Sequence, residues 1–422
     1  MHHVIVGAGP AGVVAAEHLR KLDPTSDITL IGDEPEAPYS RMAIPYYLID
    51  KIGESGTHLR KSDGHYDTKR VEVVQDRVAG IDASARKVNL AGGGDKSYDR
   101  LLIATGSRPV SPPIPGLDLP GVHNCWTLAD ARHIVDLAKP NSKVVLMGAG
   151  FIGCIILEAL ASRGVDLTVV EMENRMVPRM MDEASGGLIK SWCENKGVTV
   201  LTSTKVSGIE KGSDTALSIA LENGSTLPAD LLISATGVTP CTDFLDGSGV
   251  EVEHGIMVNH HLQTNVDGIY AAGDVAQGRD FSTGGYSVQA IQPTAVEHGR
   301  IAATNMVDGS EIVHAGSVNM NVLDTMGLIS GSFGLWEGVD GGDSAELSDH
   351  ARYRYIRLNF QDDVLVGANS LGVTQHIGVL RGLIQSKLHL GDWKAKLMDD
   401  PTQVMSAYLA ATQGMGATTK VQ

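Results

Sequence analysis

The chain has 422 residues, 49 of them glycine, with 34 Lys+Arg against 50 Asp+Glu and a formal net charge of −16. Its length calls for several globular domains and excludes the collagen-like, disordered and disulfide-scaffold classes. The acidity and the lack of a long basic run argue against nucleic acid, and no apolar run reaches the ~18 residues that cross a bilayer.

In chain order, residues 1–6 are a short apolar strand that runs into Gly7-Ala8-Gly9-Pro10-Ala11-Gly12. Residues 13–22 then have helical spacing and 28–31 are apolar again, so the order is strand, glycine turn, helix, strand. Residues 101–104 read as a buried strand closed by Thr105-Gly106, and a proline cluster over 107–116 marks a domain crossing. The first order then recurs: a strand at 143–147, the turn Gly148-Ala149-Gly150-Phe151-Ile152-Gly153, a helix at 154–162 and a strand at 167–170. A second closing strand, 231–235, runs into Thr236-Gly237, and a later apolar strand ends in Gly273-Asp274. Beyond about residue 310 the pattern changes. Residues 353–358 alternate like a half-buried antiparallel strand, 365–368 would pair with it, and 377–388 have helical periodicity, an α+β pattern without glycine turns.

The four cysteines, Cys125, Cys154, Cys193 and Cys241, are far apart, with no C-x-x-C and no metal-ligand spacing. They read as reduced thiols of a cytoplasmic protein, and no metal site is expected. The first residues enter a strand pattern rather than a signal peptide.

Both glycine turns follow the G-x-G-x-x-G spacing. In that spacing the first glycine makes the bend, the second lets backbone approach a pyrophosphate, and the third lets helix pack on strand, with the helix N-terminus facing negative charge. Each is followed by an acid at the next strand end. Glu171 is placed to accept the ribose hydroxyls of NAD and to repel a 2′-phosphate, with Arg175 close behind it. In the first unit the acid is Asp33 or Glu34.

Gly7/Gly9/Gly12, Ala104-Thr105-Gly106, Gly148/Gly150/Gly153, Ala235-Thr236-Gly237 and Gly273-Asp274, in this order, resemble the two-dinucleotide flavoproteins. These are the pyridine nucleotide-disulfide oxidoreductases and the ferredoxin, rubredoxin and nitrite reductases and NADH oxidases related to them. The resemblance covers essentially the whole chain. It implies an α/β fold of two Rossmann-like, glutathione-reductase-type domains and a C-terminal α+β interface domain. The FAD domain would comprise residues 1–112 and 243–311, the NAD domain 113–242, and the interface or dimerisation domain 312–422. FAD would be held by Gly7, Gly9, Pro10, Ala11, Gly12, Asp33, Glu34, Arg41, Ala104, Thr105, Gly106, Gly273 and Asp274, the last on the ribityl chain. NAD would be held by Gly148, Gly150, Phe151, Ile152, Gly153, Glu171, Thr236 and Gly237.

The segment Glu34-Pro35-Glu36-Ala37-Pro38-Tyr39-Ser40-Arg41 carries none of the cysteines that disulfide reductases, peroxidases or coenzyme A disulfide reductases place near here, which excludes a dithiol relay and a sulfenate cycle. It is similar instead to iron-sulfur-protein reductases, although Tyr46 stands where these often have a lysine and Ile155 where relatives carry a glutamate. Arg41, Tyr46 and Tyr47 are the candidates for the flavin face. In relatives the helix that begins near Gln292-Pro293 aims its positive end at the flavin, and His298, further along, reads as a satisfied surface or interface residue.

The resemblance implies hydride transfer between NAD(H) and flavin, with an iron-sulfur or rubredoxin-type partner exchanging electrons with the flavin. The chain would be a free reductase or the FAD/NAD subunit of a larger complex, with phenylglyoxylate dehydrogenase, a 2-oxoacid:acceptor enzyme, as one precedent. A homodimer or a place in a hetero-oligomer is expected. The alternatives are an NADH oxidase that reduces oxygen, with peroxide as product, and an NAD-responsive flavoprotein with a non-catalytic interaction role.

Overall fold

His2–Val6, Asp27–Gly32 and Arg100–Ile103 are runs of mostly buried aliphatic residues, which pair in parallel with both sheet faces covered. Together with Val71–Gln75 and Ile269–Ala271 they form a five-stranded sheet whose spatial order is Ile269–Ala271, Arg100–Ile103, His2–Val6, Asp27–Gly32, Val71–Gln75. The same arrangement recurs downstream, in the order Thr199–Leu201, Asp166–Val170, Lys143–Met147, Leu231–Ser234, Val122–Asn124, again all parallel. In both sheets the strand before the glycine turn lies between the strand that follows its helix and the strand that runs into Ala-Thr-Gly. The doubled βαβ pattern of the sequence is thus present twice as structure.

The computed structural model describes residues 1–309 and 311–418. They fall into two units, one of Met1–Val110, Trp126–Leu128 and Val238–Ser317, the other of Ser111–Cys125, Ala129–Gly237 and the described chain from Val318 onward. Among the described residues no helix is long and apolar enough to cross a membrane.

In the first unit, helix Pro10–Leu22 starts with proline in its first turn, buries Ala11, Gly12, Val13, Ala15, Ala16 and Leu19 on one face, and ends on Arg20 and Lys21. It packs against helix Gln292–Asn305 with almost no side chain between them, because a Cβ on Gly299 would stand 2.4 Å from the carbonyl oxygen of Ala11. Gly273, at φ +78, fits beside the same two helices, where an added Cβ would stand 3.3 Å from the Cβ atoms of Ala11 and Ala295.

In the second unit, the C-terminal segment forms a five-stranded antiparallel sheet in the order Met320–Thr325, Leu328–Gly334, Val364–Leu371, Arg354–Gln361, Asp343–Asp349. Three helices follow it, Ile377–Ser386, Asp392–Asp399 and Val404–Thr418. The expected pairing of 353–358 with 365–368 is present as the pair Arg354–Gln361 and Val364–Leu371. The strand is not half-buried, however. Tyr355, Ile356, Leu358, Asn359 and Phe360 are all buried, so its polar face as well as its apolar face is covered.

Helix Glu183–Asn195 is capped by Asp182, whose side chain accepts from Ser185 N at 2.9 Å. Inside it, a Cβ on Gly187 would meet nothing within 4 Å. Gly187→Ala is therefore expected to raise stability by about 0.5–1 kcal/mol, the usual helix-interior difference. Gly299→Ala is expected to lower it by about 1–3 kcal/mol because the helix pair must move apart. Urea unfolding of the two variants checks both signs.

Candidate functional site

The two glycine turns share one geometry. Gly7 and Gly148 lie at φ +115 and φ +102, where a side chain is strained. A Cβ on them would also stand 2.1 Å from the carbonyl oxygen of Ala104 and 2.5 Å from that of Ala235. The first glycine of each turn is thus forced by the Ala-Thr-Gly corner of the neighbouring strand. The third is forced by the first: a Cβ on Gly12 would be 1.9 Å from Gly7 O, and one on Gly153 would be 2.2 Å from Gly148 O. Gly9 and Gly150 differ. Both have extended backbone, cap the following helix, and would project a Cβ into open space. An anion at either helix N-terminus would meet bare backbone there.

The acids that follow are not equivalent. Val6 pairs with Ile31 in the first sheet and Met147 with Val170 in the second, so the register places Gly32 where the second unit has Glu171. A Cβ on Gly32 would be 2.9 Å from Ala8 Cβ. Of the two acids the sequence offered for the first unit, Asp33 comes next and is exposed, whereas Glu34 is turned back into the fold. Its carboxylate accepts from Tyr39 OH at 2.5 Å and from Arg41 Nη2 at 2.7 Å. In the second unit Glu171 is buried and binds the turn itself, accepting from Ala149 N at 2.7 Å and Glu173 N at 2.9 Å. Arg175 is drawn onto its own loop, donating to Met181 O at 2.8 Å, Asn174 Oδ1 at 2.9 Å and Pro178 O at 3.0 Å. A 2′-phosphate would have to compete with these bonds for the guanidinium.

Arg41 is the hub of the first unit's polar cluster. Besides Glu34, its Nη1 donates to Tyr39 OH at 3.0 Å and to Trp126 O at 2.7 Å, and its guanidinium carbon lies 5.2 Å from the Trp126 ring centroid. Trp126 Nε1 in turn donates to Ser107 O at 2.9 Å, and Ser107 Oγ donates to Asp274 Oδ2 at 3.0 Å. Burial pushes the Asp274 carboxyl up, against the pull of Ser107 and Arg41. Thr105 Oγ1 donates to Cys241 O at 2.9 Å and Gly106 O accepts from Cys241 N at 3.0 Å, which ties that corner to the strand Val238–Pro240. The N-terminus of helix Gln292–Asn305 reaches the same cluster, since Ser40 Oγ donates to Gln292 Oε1 at 2.7 Å.

Glu34, Arg41, Ser107 and Asp274 are thereby linked through Tyr39 and Trp126, two residues that sequence reasoning did not assign. Tyr39 lies inside the motif it quoted and could have been found there. Trp126 is 85 residues from Arg41 and offers a backbone carbonyl and a ring face, neither of which has a local sequence signal. Tyr46 and Tyr47 lie on the short helix Ile44–Leu48, Tyr46 exposed and Tyr47 half-buried. No direct hydrogen bond links Tyr46 to this cluster among the described residues.

Cys154, just past the second turn, is fully buried and its thiol is pushed well up by burial; Cys125 and Cys193 are pushed up to about 12 and Cys241 is raised as well. None is poised as a thiolate near neutral pH. His298 is not a surface residue: it is buried, shares the hydroxyl of Ser317 with His314 at 3.2 and 3.3 Å, and burial pushes it down to about 3.

A model of the pyridine nucleotide-disulphide oxidoreductase family matches residues 1–299. The chain is 31% identical over 412 residues to the epsilon subunit of an NADH-dependent phenylglyoxylate dehydrogenase from Aromatoleum evansii, covering 97% of each chain. It is 29% identical to the ferredoxin–NAD(+) reductase subunit of a benzene 1,2-dioxygenase system from Pseudomonas putida, over 65% of this chain and 67% of that one. Its fold is similar to a solved ferredoxin reductase from Rhodopseudomonas palustris, with a TM-score of 0.81 and 26% identity over 88% of this chain and 91% of that one.

Two expectations follow. Gly9→Val and Gly150→Val should stay within about 1 kcal/mol of the parent in urea unfolding without ligand, while Gly12→Ala loses about 1–3 kcal/mol or more. His298 is neutral in the fold down to about pH 3 but takes up a proton below its ordinary 6.5 when unfolded, so its contribution is complete above that value and is lost as pH falls. Its share of the loss is at most about 1.4 kcal/mol per pH unit. Unfolding midpoints from pH 7.5 to 4.5 should fall less steeply in His298→Gln.

Proposed function

From a chain that belongs to the pyridine nucleotide-disulphide oxidoreductase family, we propose an oxidoreductase that uses FAD and NAD(H) to exchange electrons with an iron-sulfur or rubredoxin-type partner protein. The observation that carries this reading is the paired cradle: two helix N-termini, each with a forced first and third glycine and an open second one. That shape fits a dinucleotide pyrophosphate at each turn, because only the position nearest the phosphates lacks a neighbour. FAD, when bound, supplies two-electron exchange with NADH and one-electron exchange with a carrier.

In this reading Gly7, Gly9, Pro10, Ala11 and Gly12 with Ala104, Thr105 and Gly106 hold FAD, and Asp33 takes the ribose hydroxyls, Glu34 being held by Tyr39 and Arg41. Asp274, oriented by Ser107 and backed by Gly273, meets the ribityl hydroxyls. Arg41, fixed by Glu34, Tyr39 and Trp126, places one positive charge beside this group without a costly search of rotamers. Gly148, Gly150, Phe151, Ile152, Gly153, Thr236 and Gly237 hold NAD, and Glu171 both braces the turn and disfavours a 2′-phosphate. Residues 1–112 with 243–311 serve as the FAD domain, 113–242 as the NAD domain and 312–422 as the interface domain. Tyr46 and Tyr47 complete the flavin face.

The partner class is supported by two relatives whose names state ferredoxin, and by the lack of a cysteine in the Glu34–Arg41 segment, where a dithiol relay would need one. The relative from Aromatoleum evansii is itself a subunit, which supports a place in a complex for this chain; a homodimer is the other arrangement, and the cytoplasm is the proposed location.

Anaerobic stopped-flow tests the proposal. NADH should bleach the bound flavin, and a ferredoxin should restore its colour far faster than oxygen does. No bleaching would overturn the oxidoreductase reading, and faster reoxidation by oxygen would overturn the carrier and favour an oxidase. Gly9→Val should purify folded but colourless, whereas Gly150→Val should stay yellow and fail to respond to NADH.

A further inference from the structure

The segment from Glu171 to Asp182 is held on two sides. On one side Val177 N donates to Ala149 O at 2.8 Å, while Ala149 N donates to Glu171 Oε2 at 2.7 Å. The middle residue of the Gly148–Gly150 turn is therefore gripped by this segment through both its amide and its carbonyl. Val177 is buried and lies at φ +51, a region that a β-branched residue occupies only when its surroundings over-determine it, at a cost of about 1–3 kcal/mol.

On the other side stands the polar face of the C-terminal sheet. The register aligns Ser332, Asn369, Arg357 and Glu346 across four strands, with Tyr355 one pleat away. Asn369, buried on strand Val364–Leu371, donates through Nδ2 to Met180 O at 2.9 Å. Tyr355 OH donates to Asp182 Oδ2, which also lies 3.8 Å from Arg357 Nη1. Between the two sides Met180 N and Met181 N both donate to Val177 O at 2.9 Å. A continuous chain of bonds thus runs from the C-terminal sheet, through residues 177–182, to the glycine turn, and it supplies partners to the buried Asn369 and Tyr355.

We infer that Asn369 and Tyr355 are positioning residues for the second glycine turn, setting the placement of Ala149 and through it the affinity for NADH. The inference rests on the proposed function, in which NADH binds at that turn. The C-terminal segment is then a structural part of the nucleotide site and not only an interface.

The test compares Tyr355→Phe, which removes one hydroxyl, with Asn369→Ala and with Asn359→Ala. Asn359 is buried on the same sheet but donates to Leu335 O and Trp336 O, away from residues 177–182. Flavin content, equilibrium NADH binding, KM for NADH and the limiting rate of flavin reduction are measured for each. Tyr355→Phe and Asn369→Ala should each raise KM and the NADH dissociation constant about threefold to tenfold, while flavin content and the limiting rate stay within about twofold of the parent. Asn359→Ala should lower thermal stability and leave KM in place. If KM is unmoved in Tyr355→Phe and in whatever Asn369→Ala folds, or moves equally in Asn359→Ala, the positioning role is wrong although the parent binds NADH. A parent that binds no NADH removes the functional reading itself, and the positioning role with it.

Discussion

The fold is organised by a close approach between two corners: the Cα of a glycine pressed against the carbonyl oxygen of an alanine on the next strand. At Gly7 and Ala104, and again at Gly148 and Ala235, there is no room for a methyl group. This contact sets the bend that starts each helix, the bend brings the third glycine under the first, and the helix then lies flat on its sheet. The middle glycine is left as the single member of each triplet that faces open space. In the proposed function a packing requirement and a ligand requirement therefore lie side by side in one short motif, and they can be separated because different glycines answer to them.

The two copies of the motif have diverged at the acid. In the second unit Glu171 is drawn in and its carboxylate is enclosed by backbone amides of its own turn. In the first, the equivalent position is Gly32, and the acid is displaced along the chain. The displacement leaves Glu34 free to anchor Arg41, and Arg41 collects Tyr39 and Trp126 around it. A charge near the first turn is therefore held by a prebuilt set of partners, which lowers the entropy lost in placing it. The same economy appears at Arg175, whose donors close its own loop.

The strand Arg354–Gln361 of the C-terminal sheet has buried residues on two faces of opposite character. Ile356, Leu358 and Phe360 point to one side with the ordinary logic of an apolar core, and Tyr355, Arg357 and Asn359 to the other. Burial of polar groups is stable only where they find partners: Asn369 finds the carbonyl of Met180, Tyr355 the carboxylate of Asp182, and Asn359 the carbonyls of Leu335 and Trp336. That is why the alternating pattern of residues 353–358 suggested a strand with one wet face: the period reveals which residues share a face but not what will cover it.

Much of the molecule was legible in the chain itself. Continuous apolar runs ending in glycine turns determined two parallel sheets, and the doubled spacing determined two glycine corners of one geometry, because steric limits at glycine act between near neighbours and leave a local record. The family, the likeness to carrier reductases and the lack of a thiol in the Glu34–Arg41 segment were equally readable. Tertiary structure alone decided which acid faces outward, what Arg41 binds, that His298 is enclosed, and that the C-terminal sheet grips residues 177–182. Each of these depends on a backbone carbonyl, a ring face or a strand register supplied from far along the chain, and such groups are the same in every sequence until the fold brings them together.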